Sequence, residues 1–259
     1  MKSINNPLTL VLLIALVIGL ALVSNALQGP SAEAEEPDVA GELIPHVVFT
    51  VGPLEVTSTV VNTWAMMLLL GVGIYLAGRN LKLRPGLVQN ALEWLVEGIE
   101  GLIREMVGVE DTAIFLPVVG TLAFFIGTAN LIGLLPGLKS PTPDINTPLA
   151  MALVVFFSVP YYGIRTRGVG KYLKHYVEPI FLMLPIEIAG EIARTFSLTF
   201  RLFGNILGEE IIVSILFIVM PLFVPVPMML FSIFTGLLQA YIFTLLTCVY
   251  ISGAIKAHK

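Results

Sequence analysis

Charge is what this sequence is short of. Of its 259 residues only 12% are Asp, Glu, Lys or Arg, while 56% are hydrophobic and the mean hydropathy is +0.92. A soluble domain carries roughly 25% charged residues. At half that level solvated groups cannot cover a surface, so the chain's solvent must be largely lipid. Cysteine is nearly missing as well. Cys248 stands alone inside an apolar run, which excludes an internal disulfide and leaves it as a small packing residue. The histidines, His46, His175 and His258, are too scattered for a metal-ligand spacing or a catalytic triad. No GxxxxGK[ST] loop offers a seat for nucleotide phosphates. These absences argue against a soluble enzyme, and neither a cofactor, a metal nor a nucleic-acid partner is expected.

Apolar runs are what the sequence has in quantity, at about the 20 residues a hydrocarbon core demands. They fall near 8–27, 59–78, 112–135, 147–164, 180–220 and 228–252. The first follows Lys2 and closes on Ser24-Asn25-Ala26, a small-x-small cleavage form. Residues 1–27 are therefore either a signal peptide or an uncleaved anchor, and both readings put residue 30 outside the cytoplasm. Residues 28–58 carry Glu33, Glu35, Glu36, Asp38, Glu42 and Glu55 without one Lys or Arg, the composition of an exported, poorly ordered acidic tail. Residues 59–259 hold the remaining spans.

Basic residues set the orientation. With 28–58 outside, Lys2, then Arg79, Lys82, Arg84 and Arg104, then Arg165, Arg167, Lys171 and Lys174, and finally Lys256 and Lys259 all face the cytoplasm. Lys139 alone falls outside, and Arg194 and Arg201 lie within a span. The opposite topology would break the positive-inside rule. Residues 86–107 differ from the spans: Leu87, Val88, Ala91, Leu92, Leu95, Ile99, Leu102 and Ile103 recur at helical spacing, interrupted by Gln89, Glu93, Glu97, Glu100 and Arg104. That pattern predicts an amphipathic helix along the cytoplasmic interface. Pro136-Gly137 and Pro141 to Pro148 predict a tight outer hairpin in which Asp144 and Asn146 read as turn and capping residues, with Thr147 as N-cap and Pro148 as first helical residue.

The chemistry is concentrated in Pro185 to Glu210. Charge well inside a membrane costs roughly 2.5–3.5 kcal/mol on insertion scales and is a functional signal by default. On an ideal helix Glu187, Glu191, Arg194, Arg201, Asn205 and Glu209 share about 80° of one face over roughly 33 Å. Such a stripe must face protein or water, since lipid would leave every group unpaired. Glu191 and Arg194 are i,i+3 neighbours and can pair with each other. Arg201 has no acidic residue three or four positions away, so its partner must come from another helix or another chain. On the last span Ser232, Gly236, Gln239 and Tyr250 lie within about 60° of one another. Gln239 there is either an interhelical hydrogen-bonding residue or part of the same polar seam.

Arg201-Leu202-Phe203-Gly204-Asn205, the later Gly208 and Glu210, and Leu238-Gln239-Ala240-Tyr241-Ile242-Phe243 resemble the two signature stretches of the subunit a family of F-type rotary ATP synthases. Pro85-Gly86 with Gln89 and Glu93, Asn130 to Gly137, and Pro143-Asp144-Ile145-Asn146 agree in order, from about residue 59 to 252. The resemblance implies an all-α integral membrane subunit of five core helices, with the N-terminal signal or anchor and the interfacial helix in addition. It implies two offset half-channels that pass H⁺, or Na⁺, to and from carboxylates on a rotating ring of subunit c, coupling ion flow to ATP synthesis. The chain would have no catalytic site of its own. Its partners would be the ring, the peripheral-stalk subunit b and, through them, the soluble ATPase sector, in the plasma (inner) membrane of a bacterium, with the acidic segment outside and the C-terminus cytoplasmic. Arg201 would separate the half-channels and meet the ring carboxylate; Glu187, Asn205, Glu210 and Gln239 would line or organise the access routes.

Two departures stand out. Some members of that family place a histidine seven residues before the glutamine, where this chain has Ser232. Glu209 precedes Glu210 where a small residue is common, and the helical face selects Glu209 while the family pattern selects Glu210. A self-contained secondary transporter would show inverted repeats and broken helices in both halves, whereas the charge here is confined to one segment. A membrane enzyme would need a clustered acid–base, metal or nucleophile set that the sequence lacks.

Overall fold

A computed structural model describes residues 47–51, 54–79, 81, 86–133, 140–172, 183–219 and 225–256. The expected signal or anchor, the three histidines and Lys139 lie outside them. Among the described residues two short strands, β1 (Val47–Val51) and β2 (Leu54–Thr57), precede the long helices α1 (Ser58–Arg79), α2 (Leu87–Val107), α3 (Leu116–Ile132), α4 (Asn146–Arg167), α5 (Met183–Val219) and α6 (Pro225–Lys256). The strands pair antiparallel, with Val51 opposite Leu54 and Phe49 opposite Val56. Part of the stretch read as a poorly ordered tail is therefore a hairpin. Its sequence signals are the β-branched and aromatic run Val47-Val48-Phe49-Thr50-Val51 and the Gly-Pro pair that follows it.

The helices match the apolar runs. By length and composition α1, α4 and α6 are each apolar enough to cross a membrane, while α3 is a shorter apolar helix. It begins at Leu116, four residues later than the run itself, because Thr112 and Asp111 first form a turn. The Thr112 carbonyl accepts from the amides of Phe115 and Leu116, and Asp111 Oδ1 accepts from Ala113 N. Pro117 then supplies a first-turn residue that has no N–H to orphan. One expectation fails at α4. The helix starts at Asn146, not after Thr147, because Asp144 Oδ1 accepts from the Asn146 backbone N at 3.0 Å and the Asp144 carbonyl from Thr147 N at 3.1 Å. Pro148 consequently sits inside the first turn.

The central element is α6, which packs against α2, α3, α4 and α5. Ile103 and Val107 of α2, Val119 and Ile126 of α3, Val155 and Tyr162 of α4, Leu198 and Leu202 of α5, and Phe243 and Ile251 of α6 form one core. In lipid, apolar area alone does not drive helices together, so close contact must come from shape. Gly127 faces Ala240 and Gly236 faces Asn130, which brings the backbones of α3 and α6 near each other. Four threonine hydroxyls are satisfied within their own helices: Thr195 donates to the Glu191 carbonyl, Thr199 to Thr195, Thr244 to Ala240 and Thr247 to Phe243.

At the Lys256 end, cationic side chains tie helix ends together. Arg167 Nε donates to the Ile255 carbonyl at 2.6 Å, and Lys256 Nζ to the Met106 carbonyl at 3.3 Å. Both bonds place positive charge on the carbonyl-rich end of a helix. The same end of α2 closes on Gly108, whose φ of 72° suits a glycine cap. The amphipathic reading of α2 holds: Ile103 and Val107 are buried, and Glu93, Trp94, Glu97 and Arg104 are exposed.

Candidate functional site

The polar stripe lies along α5, a 37-residue helix with Arg201 at its middle. Its buried side is Leu198, Thr199, Leu202 and Ile206; Phe196 and Phe200 are exposed on the far side. Arg201 is exposed, on the border of that outward apolar face. Among the described residues it has no hydrogen-bond or ion-pair partner. Asn205 and Glu209, both half-buried, follow it at helical spacing, and Asn205 Nδ2 donates to Glu209 Oε1 at 3.0 Å. Glu210, also half-buried, points about 100° further round the helix. Glu187 is half-buried about 21 Å along the axis on the other side of Arg201.

Around this arginine α5 is small and unobstructed. A Cβ added to Gly190, Gly204 or Gly208 would meet no atom within 4 Å, and all three lie within about 60° of Arg201 around the helix.

The residues nominated on α6 sit elsewhere, inside the bundle. Ser232 is 8% exposed and Gln239 5%. The nominated set therefore divides into an outward group around Arg201 and an inward group on α6. Arg194 lies over the ring of Tyr250, 5.7 Å from its centroid, and these two with Glu191, Thr195 and Val155 border a cavity of about 20 Å³, room for one water molecule. The Tyr250 contact joins residues more than 50 positions apart, so helical spacing along α5 cannot show it.

Asp144 behaves as a turn and capping residue. Besides the Asn146 backbone, its carboxylate accepts from Asn146 Nδ2 at 2.9 Å and from Thr59 Oγ1 at the start of α1. Asn130 of α3, which helical spacing does not single out, is buried and donates from Nδ2 to the Gly236 carbonyl of α6 at 3.0 Å.

A family model described as ATP synthase A chain matches residues 60–252. The chain belongs to that family. ATP synthase subunit a 2 of Pelobacter propionicus is 46% identical over 212 residues, covering 82% of this chain and 92% of that protein. Subunit a 2 of a Bradyrhizobium species is 45% identical over 209 residues, covering 81% and 93%, and subunit a of Moorella thermoacetica 41% identical over 214, covering 83% and 98%. As an ATP synthase A chain it is a membrane subunit of the synthase complex, of the ion-translocating kind. The stripe on α5 and the RLFGN string at Arg201 both fall within the matched residues.

Proposed function

We propose that this chain is the stationary half of the rotary motor's ion path, passing H⁺ or Na⁺ through two half-channels to and from carboxylates on a rotating ring of subunit c. One observation carries the reading: Arg201, halfway along α5, is exposed beside apolar residues and has no partner among the described residues. A lone guanidinium facing hydrocarbon is costly. A carboxylate brought by another chain removes that cost and gives the arginine a task. The fixed cation favours the ionised carboxylate, so a ring site arriving opposite Arg201 gives up its ion. The same charge repels cations in transit and blocks a direct leak between the half-channels.

Glu187 serves the access route on the cytoplasmic side, and Asn205, Glu209 and Glu210 the outer one, with Gln239 and Ser232 organising the interior of α6. The coupling ion is set largely at the ring carboxylate. The acidic N-terminal segment is outside and the C-terminus cytoplasmic, following the basic residues, in the plasma membrane of a bacterium. Subunit b and the soluble ATPase complete the assembly.

Arg201 substitutions in membrane vesicles test the reading. Arg201→Ala is expected to insert normally, to abolish coupled synthesis and to permit passive leak. Arg201→Lys is expected to fail nearly as badly, because a compact ammonium cannot reproduce the planar fork. A purely structural ion pair gives the opposite pattern: Ala strands a buried charge at about 3–5 kcal/mol and loses the protein, while Lys is tolerated. Normal pumping by Arg201→Ala would sink the mechanism.

A further inference from the structure

Two buried side-chain atoms in the described chain make no hydrogen bond, and they are complementary: the acceptor Oδ1 of Asn130 on α3 and the donor Nε2 of Gln239 on α6. Asn130 is 7% exposed and Gln239 5%. The Asn130 amide cannot turn over. Its Nδ2 donates to the Gly236 carbonyl at 3.0 Å, and a flip would set two carbonyl oxygens against each other. Gly236 precedes Gln239 by three residues, so the two share a side of α6. A Cβ at position 236 would come within 3.0 Å of Asn130 Cβ, so this close approach depends on the glycine. Thr244 is engaged with the Ala240 carbonyl, and Ser140 with the Ala129 carbonyl and with Thr142. In hydrocarbon no bulk water relieves an orphaned amide.

We propose that Asn130 is a positioning residue for Gln239: the two amides form one polar couple across the α3–α6 seam, the free donor of one answering the free acceptor of the other through a shared water. The couple holds the Gln239 amide in one orientation at the wall of the ion path. This rests on the reading of Gln239 as an ion-path residue. Asn130 already grips α6 through Gly236, so it transmits the register of α3 to the glutamine one turn on.

The test is a double-mutant cycle in the assembled synthase. Asn130→Leu, Gln239→Leu and the double variant are compared for subunit level in membranes and for ATP-driven pumping per assembled complex. Each single substitution is expected to slow pumping about tenfold, and the double no further than the worse single, because a shared interaction is lost only once. The level of the double variant is expected to exceed that of Asn130→Leu, since two apolar side chains facing each other leave no amide unsatisfied. Losses that multiply in the double variant overturn the couple, and so does normal pumping by Asn130→Leu beside a slow Gln239→Leu. Normal pumping by Gln239→Leu overturns the ion-path reading of that residue and the couple with it. If Asn130→Leu fails to reach the membrane, the level of the double decides: recovery supports the couple, and an equal or deeper loss overturns it.

Discussion

Exchanging a carboxylate for an amide of similar size separates its charge from its packing, and Glu209 and Glu210 invite that comparison. Glu209 accepts from Asn205, an exchange that a glutamine can still make, with a weaker neutral bond. Glu210→Gln is therefore expected to slow proton-driven ATP synthesis in vesicles with assembly intact, and Glu209→Gln to have the smaller effect. The reverse order would mean that the outward stripe, not the family pattern, marks the titrating carboxylate. The isolation of Arg201 was legible from spacing alone, since positions 197, 198, 204 and 205 hold no acid. Asn130 was not, because its contact with Gly236 spans 106 positions and no helical period reaches that far. Arg194 shows the same limit: Glu191 was its visible neighbour in sequence, while Tyr250 is the ring beneath it.

The helix α2 is anchored through one end. Ile103 is fully buried in the shared core, whereas Trp94, nine positions earlier, is 72% exposed. Ile103→Ala is expected to destabilise the purified complex by about 2–5 kcal/mol, the usual cost of truncating a core aliphatic. Trp94→Ala should leave thermal unfolding unchanged, and a loss equal to that of Ile103→Ala would mean that α2 docks along its whole length. Among the described helices α1, α3, α4, α5 and α6 follow apolar runs of the kind bilayers require, and α2 follows an amphipathic period, so length and pattern carried these elements. Their boundaries depended on turn and capping chemistry that hydropathy does not register. The Asp144 carboxylate starts α4 at Asn146, and the Thr112 turn delays α3 to Leu116. The β1–β2 hairpin was hidden by acidic composition, which describes the whole stretch and says nothing of the strand-forming run Val47 to Val51 near its end.

At the scale of the molecule, lengths do not match a bilayer. α5 has 37 residues and α6 32, about 55 and 48 Å of helix against roughly 30 Å of hydrocarbon. Both must lie well off the membrane normal or run on into the interfaces, so the stripe on α5 is long enough to approach both water layers. Co-purification in mild detergent with a multimeric ring and a soluble ATPase is expected, and isolation as a self-sufficient transporter would overturn the assignment of partners. On the proposed reading, the outward face of α5 must also let a neighbour travel past it. Binding surfaces seldom meet that demand, since knobs seated in holes turn every step of sliding into a climb. Beside Arg201 the relief is shallow, because Gly190, Gly204 and Gly208 leave open space where side chains would stand. A surface of this kind has low corrugation: it holds its neighbour by charge at one point and offers little friction elsewhere. Gly204→Leu would raise one tooth on that track. The expected result is slower ATP hydrolysis in the coupled complex at normal subunit level, with hydrolysis returning to the unmodified rate once the soluble sector is detached.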